Sequence, residues 1–223
     1  MKDEYQDLRD EMVTRQIMRR GIRTPHLLEV LRQVPRHRFV PPDMHNWAYE
    51  DGPLSIGLGQ TISQPYIVAL MTDLCNLQGD ETVLEIGTGS GYQAAILAGM
   101  AALVHTVERH AELAKRARRT LDELKITNVH IHVGDGTLGW QDAAPYAAIM
   151  VTAAAPRVPP ILFKQLAPGG RLVIPVGSRW SQVLQRWVRT GEEFDSEDIL
   201  PVAFVPLRGR DGWETNGMNN GDW

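Results

Sequence analysis

The stretch Thr82-Val83-Leu84-Glu85-Ile86-Gly87-Thr88-Gly89-Ser90-Gly91-Tyr92 constrains this chain more than any other. A short apolar run ends in glycines at alternate positions, and an apolar helical pattern follows from Ala94 to about Met100. The spacing predicts strand, tight turn and helix. Gly87 and Gly89 carry no Cβ to block a sharp turn or a ligand lying against the main chain. Gly91 opens the helix, whose free N–H groups and positive dipole end face the turn.

The spacing narrows the ligand. A dinucleotide fingerprint is G-x-G-x-x-G. Here the third glycine, Gly91, comes one residue early and Tyr92 stands at the dinucleotide position, which disfavours a nicotinamide oxidoreductase. A Walker loop needs Lys after its last glycine, and none follows. Glu85, inside the strand end, suits a cationic or polar ligand better than a pyrophosphate. Glu-x-Gly-x-Gly-x-Gly is similar to the S-adenosylmethionine loop of class I methyltransferases. A carboxylate closing the next strand would strengthen that reading, and Leu103-Val104-His105-Thr106-Val107-Glu108 supplies one.

The α/β alternation continues. Strands are expected at 82–86, 103–107, 129–133, 147–151, 171–175, 183–188 and 199–207, with helices at 111–124 and 159–166. The expected fold is α/β: a doubly wound, mostly parallel, seven-stranded sheet of Rossmann-like type with an N-terminal helical extension. Residues 1–60 form helices and a covering loop, 61–213 the core, and 214–223 a flexible tail. Ligands in such sheets bind beyond the carboxyl ends of the strands, where strand order reverses. Glu85 to Gly91, Glu108, Asp135-Gly136 and Thr152 all fall there. Glu108 is placed to accept from both ribose hydroxyls of a nucleoside. Asp135 is placed to accept from an adenine amino group, with Gly136 leaving room for the ring.

In the extension, Leu8, Met12 and Ile17 form a helical stripe ending at Gly21. A second helix begins at Thr24-Pro25 and buries Leu27, Leu28, Leu31 and Val34. Arg36-His37-Arg38 reads as a solvated basic turn. Residues 39–60 read as an ordered but irregular loop over one end of the sheet. Ser63 precedes a helix with Pro65 in its first turn, so its local reading is an N-cap. Thr190–Asp198 reads as a solvated acidic turn.

Composition limits the partners. Net charge is −4 with a pI near 6, so no nucleic-acid footprint is expected. Cys75 is the single cysteine and lies in an apolar helical pattern, which fits a buried thiol in a reducing compartment. Met-Lys-Asp-Glu-Tyr-Gln-Asp is too acidic for a signal peptide, and no apolar run approaches the ~18 residues of a membrane span. The expectation is a cytoplasmic monomer without metal.

From about Met12 to Trp213 the chain resembles the protein-L-isoaspartate O-methyltransferase family. The resemblance is carried by Arg36-His37-Arg38-Phe39-Val40-Pro41, Ala48-Tyr49-Glu50-Asp51, Gly59-Gln60-Thr61-Ile62-Ser63-Gln64-Pro65 and the glycine loop. Gly134-Asp135-Gly136, the run from Leu166 to Gly177 and Phe204-Val205-Pro206-Leu207 extend it. The Thr-Ile-Ser piece is diagnostic, since general class I methyltransferases lack it.

The resemblance implies that S-adenosyl-L-methionine is the cofactor and that isoaspartyl proteins and peptides are the substrates. It makes Ser63 the active-site serine. Gln60, Thr61, Ile62 and Ser63 would line the methyl end. Glu85, Gly87, Gly89, Gly91, Glu108, Asp135 and Gly136 would hold the cofactor, with 204–207 near the substrate peptide. It also implies late strands connected in a different order from most class I methyltransferases. Ala147 departs from the family's usual Asp, and Gly52 and Ser55 replace residues that are often Arg and Pro. The rival readings are a class I enzyme acting on another small carboxylate and a nucleoside-binding module without chemistry.

Overall fold

A computed structural model describes residues 4–213; the tail expected at 214–223 lies outside the described residues. Seven strands form the main sheet: β3 (Thr82–Ile86), β4 (Leu103–Glu108), β5 (Val129–Val133), β6 (Tyr146–Val151), β7 (Leu166–Gly177), β8 (Gln182–Thr190) and β9 (Glu193–Val202). Their order is β5-β4-β3-β6-β7-β8-β9. The first five in this order run parallel, and β8 and β9 add antiparallel in chain order. Chain order reverses between β3 and β6, which is where the glycine turn and Thr152 emerge side by side.

Both faces of the sheet are buried, so its central strands carry apolar residues on both sides rather than alternately. Val83, Ala148, Met150 and Val173 pack beneath the helices on one face. Leu84, Ile86, Ile149, Val151, Leu172 and Ile174 fill the other core. The first face carries α2 (Pro25–Gln33), α3 (Pro65–Cys75), α4 (Tyr92–Met100) and α5 (Ala111–Glu123). The second is covered by α6 (Pro160–Lys164) and irregular chain around Trp140 and Tyr146. Cys75 is buried in α3, and burial pushes its thiol up to about 12, which leaves it inert at neutral pH.

The N-terminal extension departs from its sequence reading in three places. Leu8 is 45% exposed, while Arg9 is 2% exposed. The first helix, α1 (Gln6–Glu11), passes into a wider turn over Met12–Ile17, which rotates the stripe. Arg9 turns inward because Nε donates to the Arg32 carbonyl (2.6 Å) at the end of α2 and Nη1 donates to the Tyr49 hydroxyl (3.1 Å). The basic turn is not solvated: Arg36 and His37 are buried, and only Arg38 reaches solvent, where it pairs with Glu123. The loop 39–60 contains a hairpin, β1 (Leu54–Gly57) with β2 (Gln60–Ile62), turned at Leu58-Gly59 with φ of +55° and +68°. A leucine in the left-handed region gave no turn signal in the sequence.

The acidic segment 190–198 keeps a turn only at Gly191-Glu192; the rest of it is strand. β9 starts at Glu193 and pairs with β8, setting Glu197 opposite Arg186 in a 2.7 Å ion pair. Its acidic side chains point to solvent at the sheet edge, so composition concealed the ladder.

Candidate active site

The site is built where β3 and β6 diverge. Gly87 leaves β3 with φ +98°, its N–H donating to the Val107 carbonyl at 2.9 Å. Thr152, at the end of β6, donates its hydroxyl to the Gly87 carbonyl at 2.7 Å. This contact bridges the switch point. A Cβ on Gly87 would overlap the Thr152 hydroxyl oxygen, so only glycine fits. A Cβ on Gly136 would likewise overlap Ile86 Cγ2 at 2.5 Å, and one on Gly91 would press on Ala117.

Three cavities meet here. One of about 50 Å³ is lined by Gln60, Ile86, Gly87, Glu108, Gly136 and Leu207 among others. A second of about 40 Å³ is lined by Thr61, Ile62, Ser63, Gly87, Gly89, Thr152 and their neighbours. Gly87 lines both. A groove of about 540 Å³ then opens over Arg20, Pro53, Tyr66, Ile67 and residues 200–205, and shares Thr61, Ser63 and Thr152 with the second cavity.

Ser63 is thus on the wall common to groove and cavity. The N-cap reading does not hold: the cap of α3 is Gln64, without a side-chain bond. The Ser63 carbonyl is fixed by Arg36 Nη2 at 2.8 Å. Its hydroxyl makes no hydrogen bond to another described residue.

Glu108 is buried, and its carboxylate ties the loop to the next helix. Oε2 accepts from Gly89 N–H (2.9 Å) and Oε1 from His110 N–H (2.8 Å). Each oxygen keeps a lone pair for a ligand hydroxyl.

Glu85 and Asp135 line none of these cavities. Glu85 lies fully buried beneath the loop, where Oε2 accepts from Thr106 Oγ1 (2.5 Å) and Thr106 joins Thr88 (2.7 Å). Its Oε1 has no partner. Burial, reinforced by the nearby Glu108 charge and opposed by the Thr106 hydrogen bond, pushes its carboxyl up to about 8. Asp135 Oδ1 accepts from Thr137 N–H (2.9 Å) and Thr137 Oγ1 (2.7 Å), and Oδ2 from Arg210 N–H (2.8 Å). Partial burial works to raise its pKa, but these hydrogen bonds outweigh it and hold the carboxyl below the usual range. Its adjacent Gly136 does line the nucleoside-side cavity.

Glu85 gives a measurable signature. Its folded pKa is raised, so the fold holds the neutral acid. That stability is complete below an ordinary carboxylate pKa of ~4.3 and is lost as pH rises through about 8. Glu85→Gln removes the titration and keeps the shape. Its stability relative to wild type is expected to climb between pH 5 and pH 9, by about 3–5 kcal/mol at ~1.4 kcal/mol per pKa unit. Urea unfolding at pH 5, 7 and 9 measures it, and a pH-independent difference would show that Glu85 is ionised throughout.

Two contributors carried no assigned role in the sequence. Thr152 was legible as a strand end on the ligand side, and Arg36 as part of a charge cluster within a family signature, neither with a role of its own. The pairing of each with the site depends on long-range packing.

A parallel sheet that places its glycine turn and a terminal carboxylate around a cavity at the switch point is the architecture of class I methyltransferases. The chain matches the family described as Protein-L-isoaspartate(D-aspartate) O-methyltransferase (PCMT) over residues 7–212, and it belongs to that family. A protein-L-isoaspartate O-methyltransferase of Trichlorobacter lovleyi is 57% identical over 93% of this chain and 96% of its own length. That of Syntrophotalea carbinolica is 52% identical over 96% and 99%. A solved protein-L-isoaspartate O-methyltransferase superposes with TM-score 0.83 at 28% identity, covering 92% of this chain and 67% of that one. A Plasmodium falciparum structure of the same description, in complex with S-adenosyl-L-homocysteine, gives 0.78 at 26% identity over 90% and 98%.

Proposed function

We infer that this chain transfers a methyl group from S-adenosylmethionine to the α-carboxylate of L-isoaspartyl residues in proteins and peptides. The observation that carries the reading is Ser63, which lines both a peptide-sized groove and the cavity beside the glycine turn.

The residues fit the cofactor. Ile86, Val107 and Leu207 offer apolar walls to a nucleoside base, Gly136 gives it room, and Glu108 accepts from the ribose hydroxyls. Asp135 serves the adenine side by holding segment 208–211 and, through a remaining lone pair, the amino group. Gly87, Gly89 and Gly91 bring main chain against the ligand, and Glu85 acts through Thr106 and Thr88 beneath them. Gln60, Thr61 and Ile62 close the methyl end with Ser63. The cavities flanking Gly87 are far below the ~300 Å³ of a site for a ligand this size.

The bound cofactor supplies an electrophilic methyl on a sulfonium, which the carboxylate oxygen takes as the carbon–sulfur bond breaks. The acceptor carboxylate is already ionised at neutral pH, since its pKa lies near ~4, and no general base is needed. Ser63 donates a hydrogen bond that orients it. The walls from Thr61, Thr152 and Phe204 exclude water around the line of transfer. The resulting methyl ester then closes to a succinimide, whose hydrolysis returns some normal aspartate.

No helix among the described residues is long and apolar enough to cross a membrane. We place the enzyme in the cytoplasm, as a monomer, on the strength of its single buried thiol and mixed surface charge.

The test is a labelled-methyl assay with an isoaspartyl peptide and its normal-aspartyl twin. Label is expected in the first only. Equal labelling would favour a broader carboxylate methyltransferase, and nucleoside binding without labelling would favour a non-catalytic module.

A further inference from the structure

Arg36 is fully buried, and among the described residues no carboxylate pairs with it. Nε donates to the Ala48 carbonyl at 2.7 Å and Nη2 to the Ser63 carbonyl at 2.8 Å. The guanidinium carbon lies 4.9 Å from the centre of the Tyr92 ring, at the first residue of α4. Nη1 makes no hydrogen bond of normal geometry, its polar neighbour being the Tyr92 side chain. A buried cation without a counter-charge is expensive, and an apolar side chain of similar volume would fill the same space at lower cost. Packing alone therefore does not account for an arginine here.

The two carbonyls it holds do. Ser63 lies between β2 and α3 and belongs to neither ladder. Ala48 ends the helical turn Pro42–Trp47. Arg36 ties both to the helix that follows the glycine loop, so one planar group sets the acceptor side against the cofactor side. The planar fork suits this task, since it presents several donors in a fixed plane and stacks on an aromatic face.

We propose that Arg36 is a positioning residue for methyl transfer: through the Ser63 carbonyl it fixes the Ser63 hydroxyl relative to the cofactor loop. The proposal rests on the isoaspartyl reading for its substrate, but the coupling it names can be read with any methyl acceptor the enzyme turns over.

The experiment is a double-mutant cycle between Arg36 and Ser63. Arg36→Lys keeps the charge and can reach one carbonyl, not both. It is expected to lower kcat about 10- to 100-fold, the scale on which a misplaced reacting group is felt. S-adenosylhomocysteine affinity should stay within about threefold and the melting temperature within a few degrees. In the Ser63→Ala background the same change should cost little, because the group it positions is already gone. Arg36→Met is expected to lose more, and if it fails to fold the lysine variant carries the test. Unchanged kcat in Arg36→Lys overturns the proposal, as do losses in the two single variants that multiply in the double. A wild-type enzyme that labels aspartyl and isoaspartyl peptides alike overturns the substrate reading alone, and one that labels neither overturns both.

Discussion

Replacing Ser63 by alanine is expected to lower kcat for an isoaspartyl peptide about 100-fold and to leave S-adenosylhomocysteine affinity within about threefold. The change removes one hydroxyl and nothing else. The backbone at position 63 stays held by Arg36 through its carbonyl, and α3 loses no cap, since Gln64 rather than Ser63 stands at the helix start. The hydroxyl is bonded to no other described residue, so the fold does not depend on it. What is lost is alignment. A carboxylate left free to rotate spends little time with an oxygen in line with the methyl carbon, and orientation of this kind is worth orders of magnitude in rate. Steady-state kinetics with both peptides, beside calorimetry with S-adenosylhomocysteine, separate the two effects. Equal loss in turnover and cofactor binding would make Ser63 a cofactor ligand instead. Little loss in either would pass the orienting role to Thr61 or Thr152, which line the same wall.

Most of the sheet was legible because parallel strands buried on both faces read as apolar runs, and each run here is bounded by a turn signal. The glycine loop was legible for a different reason: its spacing is dictated by main-chain geometry rather than by packing partners. Gly87 shows this, since the positive φ and the crowding by Thr152 both demand glycine locally. Ser63 could not be read from its surroundings. Its local pattern pointed to a helix cap, and only resemblance to the family raised it to a catalytic residue. The burial of Arg36 and Arg9 was missed because a charged side chain is expected outside, and the carbonyls that hold them lie 12 to 27 residues away. The strand expected at 199–207 overlaps β9 only over 199–202: its first half was missed because its acidic residues face water, and a charged edge strand carries a turn's composition on a strand's backbone.

Gly87→Ala is expected to raise the S-adenosylhomocysteine dissociation constant at least 100-fold and to lower folding stability by about 2–4 kcal/mol. Two costs combine. At φ +98° a residue with a Cβ is strained by ~1–3 kcal/mol. The new methyl also meets the Thr152 hydroxyl, whose single proton is shared between the carbonyls of Gly87 (2.7 Å) and Ile86 (3.0 Å). Moving that side chain aside gives up this one donor's hydrogen bonding, at ~0.5–1.5 kcal/mol. The damage falls where two cavities join, so binding suffers beyond the loss of stability. Gly59→Ala separates the two costs, because its φ of +68° is also left-handed but nothing lies within 4 Å of the added Cβ. It should cost only ~1 kcal/mol and leave binding nearly intact. Adding Thr152→Ala to Gly87→Ala should return part of the lost stability by relieving the overlap. If Gly87→Ala alone binds S-adenosylhomocysteine as wild type does, the glycine turn is not the cofactor's seat, and the roles assigned around it fall with it.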